Sequence, residues 1–584
     1  MILFDYHFML EWRFRMLFMI LNFFWMFISS FSVGMVLNSF LNIDKKRVVH
    51  SDLSLILMLG IVGLTIYAEI FSVFHRVGFM ATAILFCIVS FLMVIYRKEI
   101  VYYIVQLFPK QRNRWIWGGI IGIIFSYFAV IATKTPDFYD SSLYHGQAIQ
   151  WIEKYGIVKG LGNLHNRFAY NSAFLCLQAL YSWNSVIGQS LHGMNAYVGA
   201  MMVIYSLTSF SIFKKKNLQT ADIINLLIIF YIFTSLDTIA SPNTDFFALV
   251  IVLYVLSMWT RESMKEKKDD IWGRLCIIAI YGITVKLSIA PIILLMVKPA
   301  YLYVRQHAWK KILYHGIVAS TCVLPFLIRN ILISGYLIYP YTILDVFNVD
   351  WKMPKYTVDF DAHEIISWGR GLCDVQKYTW SFSKWFPIWI SKLGLWNIIL
   401  LFFNILLAIG LVFVFIKMIK HKQLYFYSDI FLVSIVSIVS LGTWLLTAPL
   451  IRYGWIYLYL LPAIFCGMFI SRWLDGSVKV VFLICLAGIV AKGSLDVMSG
   501  NEKIPIIFPH DYPTYECREI IFNSKVKIYV PIEGDRTGYG NFPAIPYPDR
   551  LNTIEMRGEE MEDGFRTKDE YFNLNVTTYG NVEK

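Results

Sequence analysis

Long apolar runs separated by short basic clusters make up most of the chain, and one polar, aromatic insertion breaks the rhythm early. Apolar runs lie near 13–37, 52–72, 76–96 and 115–133. After the insertion they resume near 190–213, 221–236, 243–260, 272–285, 287–304, 309–328, 395–418, 427–446, 455–470 and 477–493. A helix needs about 17–25 mostly apolar residues to cross a bilayer. The pattern therefore predicts roughly 13–14 transmembrane helices, with the two pieces between 272 and 304 short for the task. The first run is too long, and is followed by too many others, to be a cleaved signal peptide. The expected fold class is an all-α polytopic membrane protein with a small C-terminal extramembrane α/β segment.

Composition agrees with the pattern. The chain is 57% hydrophobic and only 16% charged, more apolar surface than 584 residues can hide from water without a lipid solvent. The net charge of +12 raises the question of a nucleic-acid partner. The basic residues, however, sit in short clusters between apolar runs, which is topology signalling and not a polyanion groove. The clusters are Arg97/Lys98 with Lys110, Arg112 and Arg114; Lys214–Lys216; Arg261, Lys265, Lys267 and Lys268; Arg305, Lys310 and Lys311; and Lys417, Lys420 and Lys422. With all of them in the cytoplasm, the spans alternate consistently. Outer loops then fall at 134–189 and 329–394, outer turns at 237–245 and 447–454, and the polar tail from 494 to 584 is also outside. The predicted organisation is a transmembrane domain over 1–493 and an extracytoplasmic C-terminal domain or tail over 494–584.

The insertion holds most of the ionisable chemistry. It runs from Thr135-Pro136-Asp137-Phe138-Tyr139-Asp140-Ser141-Ser142-Leu143-Tyr144-His145 to Gly162-Asn163-Leu164-His165-Asn166-Arg167. Clustered ionisable groups at a membrane boundary are costly to desolvate, so a functional site is the default reading. Helical spacing after Asp140 puts Asp137, Asp140, Tyr144, Gln147 and Trp151 on one face, and Trp151 and Tyr155 suit a helix lying along the membrane surface. In the tail, Val526-Lys527-Ile528-Tyr529-Val530 reads as a strand. There is no Cys/His metal spacing and no glycine-rich phosphate loop. Only Cys373 and Cys517 fall in outer polar segments, the two positions a disulfide would join.

An outer carboxylate such as Asp140 can take a proton from a hydroxyl or amine nucleophile. Arg167, Arg329 and Arg452, at the outer ends of spans, have the planar fork that pairs with phosphate. Each residue also has a plainer reading. Asp140 and Asp245 suit helix N-caps and Asp137 a turn. His145 and His165 suit interfacial hydrogen bonding, and the arginines can snorkel or satisfy terminal carbonyls.

In this arrangement the chain resembles the GT-C superfamily of polyprenyl-phosphate-sugar-dependent membrane glycosyltransferases, in a bacterial branch related to the aminoarabinose and protein O-mannosyl transferases. Those enzymes have an Asp-(Glu)-x-x-Tyr outer loop after an early span, then a helix, then a basic residue. Here Asp140-Ser-Ser-Leu-Tyr144-His145 and Arg167-Phe-Ala-Tyr170-Asn171-Ser172 stand in those places. Ser141 occupies the position of the family's second carboxylate, with Asp137 the nearest substitute. Ser241-Pro242-Asn243-Thr244-Asp245 resembles the acidic start of a later helix, and Arg452-Tyr453 with Leu461-Pro462 a late basic-aromatic motif. Lys286-Leu287-Ser288 with Pro291, and Ser334-Gly335-Tyr336 with Tyr339-Pro340, are similar to further segments of that branch. The order of these motifs over 115–470 and their common outer placement carry the resemblance.

The resemblance implies transfer of a sugar from a polyprenyl-phosphate donor to a glycan, lipid or protein acceptor, at the outer face of a bacterial inner membrane. Asp140 and Asp137 would be the catalytic carboxylates. Tyr144, His145, His165, Arg167, Asp245, Lys286, Arg329 and Arg452 would bind substrate. No cofactor is implied, and a divalent metal is not required if arginines neutralise the leaving phosphate. An O-antigen-type polymerase or ligase remains the alternative because of the late loop 329–394. A transporter or flippase, which calls for repeated halves and midplane charges, fits less well.

Overall fold

The computed structural model describes residues 2–42, 52–107, 114–211, 218–263, 271–420, 428–473, 477–499, 512–523 and 525–574. Lys110, Arg112, Lys214, Lys215, Lys216, Lys265, Lys267, Lys268 and Lys422 from the basic clusters lie outside them. Helices dominate. Among the described residues, eight are long and apolar enough to cross a membrane: Phe18–Leu41, Leu53–Phe74, Thr244–Ser263, Leu287–Arg305, Trp309–Ser334, Leu395–Lys417, Asp429–Thr447 and Ile451–Ile470. A ninth arises if Phe79–Ile95 and Arg97–Tyr103, bent by 79° at their junction, form one broken span.

The count is lower than the apolar runs predict because several runs fold into shorter helices. Trp115–Ile131, Thr220–Thr234, Trp272–Val285 and Val480–Leu495 are apolar but short. At ~1.5 Å per residue, a helix of 14 residues is about 21 Å long, less than a hydrocarbon core of about 30 Å. The run near 190–213 becomes the helix Met194–Ser209, most of whose side chains are buried inside the protein. The run near 287–304 begins as a 3-10 helix, Leu287–Met296, with Pro291 inside it, and turns α-helical only from Val297.

Two close approaches organise the bundle. The first two long helices cross where Gly34 meets the carbonyl of Ile56 and Gly60 meets that of Ser30. A Cβ on Gly60 would stand 1.7 Å from the Ser30 oxygen, so no larger residue fits without separating the helices. Thr244–Ser263 runs through the centre, packed by Thr220–Phe233, Trp272–Val285 and Ser428–Thr447, and nearly all of its side chains are buried. Its first turn is polar, and its last carries Arg261, bonded to Asp52 and Ser209. Asp245 and Arg261 are 16 positions apart, about 24 Å along a helix, so they mark opposite ends of the bundle.

Among the described residues, all four strands lie in the C-terminal segment. Cys517–Phe522 pairs antiparallel with Val526–Pro531, matching the strand expected there, and Ile554–Met556 pairs with Phe565–Thr567. This segment packs closely on the rest of the chain. Thr537 and Gly538 donate backbone hydrogen bonds to Ser142 O at 2.9 Å, and Phe565 N donates to Lys159 O at 2.9 Å. Gly160 has a φ of +64°, and a Cβ there would meet the Phe565 carbonyl at 2.1 Å.

The helix expected to lie along a membrane surface is consequently interior. In Gly146–Tyr155 every residue from Gly146 to Glu153 is buried. Trp151 is edge-on to Phe542 and Phe565 of the C-terminal segment, with centroids at 5.0 and 6.0 Å. The expected single face is broken as well. Ser141–His145 is a π-helical turn, and its wider turn shifts the phase of everything after it. All eight cysteines, Cys373 and Cys517 included, are free.

The glycine crossing gives a direct test. Gly60→Ala is expected to destabilise the protein by about 1–3 kcal/mol through overpacking. Gly119→Ala, with nothing within 4 Å of the new methyl, should leave stability unchanged or raise it. Thermal unfolding midpoints of the detergent-solubilised variants measure both.

Candidate functional site

A cavity of about 980 Å³ lies at the end of the bundle where Thr244–Ser263 begins. Stretches distant in sequence wall it, 139–175, 244–245, 283–291, 326–330, 339–369 and 443–457, with residues 535–550 of the C-terminal segment completing it. Asp140, Tyr144, His145, His165, Arg167, Asp245, Lys286 and Arg452 all line it. Eight of the ten residues singled out from sequence therefore converge. The two others do not. Asp137 is exposed and does not line the cavity. Arg329 is 2% exposed and donates to Asn171 Oδ1 at 2.9 Å and to the Ser72 hydroxyl, away from the cavity. It belongs to a buried polar network beside Glu69 and not to the cavity wall.

The plainer reading of Asp140 as an N-cap meets a geometric objection. Its φ and ψ are already helical (−67°, −21°), and its side chain makes no capping hydrogen bond. Its carboxylate instead faces Arg452, whose Nη2 is 3.2 Å from Oδ1 and 3.0 Å from Oδ2. One guanidinium nitrogen thus bridges both oxygens. Asp245 is not a cap either, since Asn243 Oδ1 accepts from Asp245 N at 2.9 Å and fills that role. Asp245 is ion-paired with Lys286.

Lys286 and Arg452 also meet on one ring. The Lys286 ammonium sits 4.1 Å from the Tyr453 centroid and the Arg452 guanidinium carbon 5.2 Å from it. Aromatic faces attract cations, and here one ring holds two within a single wall beside Asp140 and Asp245. Lys286 can reach this place because the chain breaks there: Trp272–Val285 has ended, and Lys286 is extended (φ −154°) before the 3-10 helix starts.

Arg167 anchors a second cluster. Its Nη2 is 2.7 Å from Glu364 Oε2, its Nη1 is 3.5 Å from Asp361 Oδ1, and Nη1 donates to the Tyr170 hydroxyl at 3.0 Å. Asp361 is 1% exposed and also accepts from Tyr170 and, at 2.8 Å, from Tyr339. Asp361 and Glu364 escaped the sequence reading, which named Tyr339 and Tyr453 only within motifs and gave them no role; Asp361 and Glu364 nevertheless stand at i, i+3 spacing in the late polar loop, the signal that marks one helix face. Tyr144 joins the two clusters, its ring 6.0 Å from that of Tyr170 and 4.3 Å from that of His145.

Burial favours the neutral form of both cavity histidines. Burial pushes His145 down to about 4. Burial, reinforced by Arg167 and Arg550, holds His165 well below the usual histidine range. Neither ring nitrogen of His145 has a hydrogen-bond partner, nor has Nε2 of His165. Burial also raises the Tyr144 hydroxyl well above its ordinary value, with the Asp140 charge adding to the effect. The cavity therefore combines paired charges with neutral polar groups capable of hydrogen bonding. Much of its remaining wall is apolar, formed by side chains such as Ile283, Val285, Leu287, Pro291 and Phe326. Among the described residues, no group of three or more His, Cys, Asp or Glu side chains could hold a metal ion.

Residues 16–459 match a family described as a domain of unknown function (DUF8201), and the chain belongs to that family. No curated protein and no solved structure matches it. The family region contains the cavity lining except for the part contributed by residues 535–550.

Asp361 is buried and meets Arg167, Tyr170 and Tyr339, which makes it the place to test the cluster. Breaking a buried pair by removing one partner costs about 3–5 kcal/mol. Asp361→Ala should approach that cost because it takes one partner each from Arg167, Tyr170 and Tyr339. Asp361→Asn, which keeps an accepting oxygen, should lose less. Chemical or thermal unfolding of the full chain distinguishes the two.

Proposed function

We propose that this protein is a polytopic integral membrane glycosyltransferase that moves a sugar from a polyprenyl-phosphate donor to an acceptor hydroxyl or amine in cell-envelope glycan assembly. One observation carries the reading. Asp140, 312 positions before Arg452 in sequence, meets it in a cavity that also gathers Lys286, Asp245 and a broad apolar wall. A carboxylate beside two cations, next to a surface suited to a prenyl chain, fits attack on a phosphate-bearing lipid.

In the proposed reaction the acceptor oxygen or nitrogen attacks the anomeric carbon while Asp140 takes its proton. The bond from that carbon to the phosphate oxygen breaks, and the lipid phosphate leaves with the electron pair. Arg452 and Lys286 stabilise the charge that collects on it. A single displacement inverts the anomeric configuration. Arg167, expected from sequence to hold phosphate, is already engaged by Asp361 and Glu364. In this proposal it shapes the acceptor side of the cavity.

The polymerase or ligase alternative draws on the late loop, and Asp361 and Glu364 of that loop do line the cavity. Asp140 lines it too, and an acidic early loop is what the glycosyltransferase reading calls for. The proposal places the cavity on the outer face of a bacterial inner membrane, opposite the basic clusters.

Two experiments test this. Purified full-length protein is assayed for transfer from polyprenyl-phosphate sugars. Asp140→Asn keeps the volume of the side chain and should cut turnover about 10²–10⁴-fold while the protein still binds donor. Arg452→Ala should lose donor affinity as well, and near wild-type turnover for Asp140→Asn would remove the general-base assignment. For topology, single cysteines at Ser383 and Glu559, both exposed, are introduced into a cysteine-free chain. An impermeant thiol reagent should label both from outside, whereas protection of both would reverse the orientation.

A further inference from the structure

The mouth of the cavity is completed by chain that lies beyond the family region. Tyr139, next to Asp140, donates its hydroxyl to the Asp535 carboxylate. Asp535 and Tyr547 both line the cavity. The Tyr547 ring stands edge-on to His165 at 6.2 Å. Tyr139 is 42% exposed and Tyr547 47%, so two aromatic rings remain open to solvent at this rim. His165 is 6% exposed, and its Nε2, buried and without a partner, belongs to a side chain that lines the cavity.

These groups are held in place. Gln147 Nε2 donates to Gly538 O at 3.0 Å and Asn541 O at 2.7 Å, and its Oε1 accepts from Ala544 N at 2.9 Å. Arg550 Nε donates to Asn163 O at 2.9 Å. The stretch from Asp535 to Arg550 is thus tied to the elements that bear Asp140 and Arg167, so its side chains have a fixed relation to the reacting groups.

We propose that Tyr139, Tyr547, Asp535 and His165 form a carbohydrate subsite at the cavity mouth, holding the hydroxyl-bearing ring of a sugar substrate. Aromatic faces pack on the C–H face of a pyranose. A carboxylate accepts from hydroxyls, and a neutral imidazole nitrogen either accepts or donates. Arg536 packs on the Tyr139 ring at 5.3 Å and Arg550 lines the cavity, while the cations beside Asp140, Lys286 and Arg452, lie with Tyr453. The inference rests on the glycosyltransferase reading and adds to it that the C-terminal segment selects the sugar. A site built to bond hydroxyls rejects analogues that lack them, so selectivity would reside here and turnover at Asp140.

The test titrates the full-length protein in detergent with three probes: polyprenyl phosphate, a panel of polyprenyl-phosphate hexoses, and free oligosaccharides. Tyr547→Ala and His165→Gln should each weaken a sugar-bearing ligand about tenfold or more, and polyprenyl phosphate by less than about twofold. Tyr547→Phe, which keeps the ring, should stay near wild type and shows that the segment is still folded. Loss on the charged lipid assigns the ring to the donor, and loss on the oligosaccharide assigns it to the acceptor. Unchanged affinity for both sugar-bearing ligands in both variants overturns the subsite and leaves the proposed function standing. If wild-type protein binds oligosaccharide but neither lipid, and Tyr547→Ala abolishes that binding, the subsite stands and the transferase reading falls. Wild-type protein that binds none of the three overturns both.

Discussion

The contact between Asp140 and Arg452 is the constraint on which the site depends. Neither charge is tolerable in a largely apolar bundle without a partner, because an ionised side chain taken out of water must be paired and hydrogen-bonded. Pairing them requires the early polar insertion and the start of the Ile451–Ile470 helix to meet. Asp245 with Lys286, and Asp361 and Glu364 with Arg167, impose the same requirement on two further pairs of segments. Three ionic clusters thus draw five sequence-distant stretches around one space. The cavity follows from satisfying buried charge while long helix ends keep the stretches apart.

The same pairing bears on how the cavity would handle an anion. Each of the cations Arg167, Lys286 and Arg452 faces a carboxylate. An incoming phosphate would compete with Asp140 for Arg452 and with Asp245 for Lys286. On the proposed reaction, that competition would release the Asp140 carboxylate to accept a proton as the donor arrives, which couples binding to the readiness of the base. The π-helical turn Ser141–His145 supports the geometry: its wider turn lets Tyr144 and His145 line the cavity while Gln147 and Trp151 turn toward the C-terminal segment.

Polar chemistry in a greasy chain was the strongest signal in the sequence. Ionisable groups such as Asp140, Arg167 and Arg452 are expensive near lipid, so their presence alone marks them, and they do line one cavity. Where the same logic misled, a local partner was the reason. Arg329 looks identical to Arg452 in sequence, but Asn171 and Ser72 absorb its donors inside the bundle. Trp151 looked interfacial because nothing in a helical pattern shows that a segment 400 residues later will cover it. Asp361 and Glu364 were hidden for the converse reason, since carboxylates in a polar loop are unremarkable until the fold gives them a shared arginine.

By itself the sequence determined a mostly helical chain with apolar spans, a strand near 526–530, and a short set of polar residues at span ends. Those features are local: hydrophobic periodicity, run length and the desolvation cost of charge act within a few turns of chain. Only the tertiary structure decided how many runs are long enough to span, which charges pair with which, and that the C-terminal segment closes the cavity mouth. Such contacts join residues hundreds of positions apart. They are fixed by side-chain complementarity between elements, in places by the absence of a single Cβ as at Gly60 and Gly160, and nearest-neighbour patterns carry no record of them.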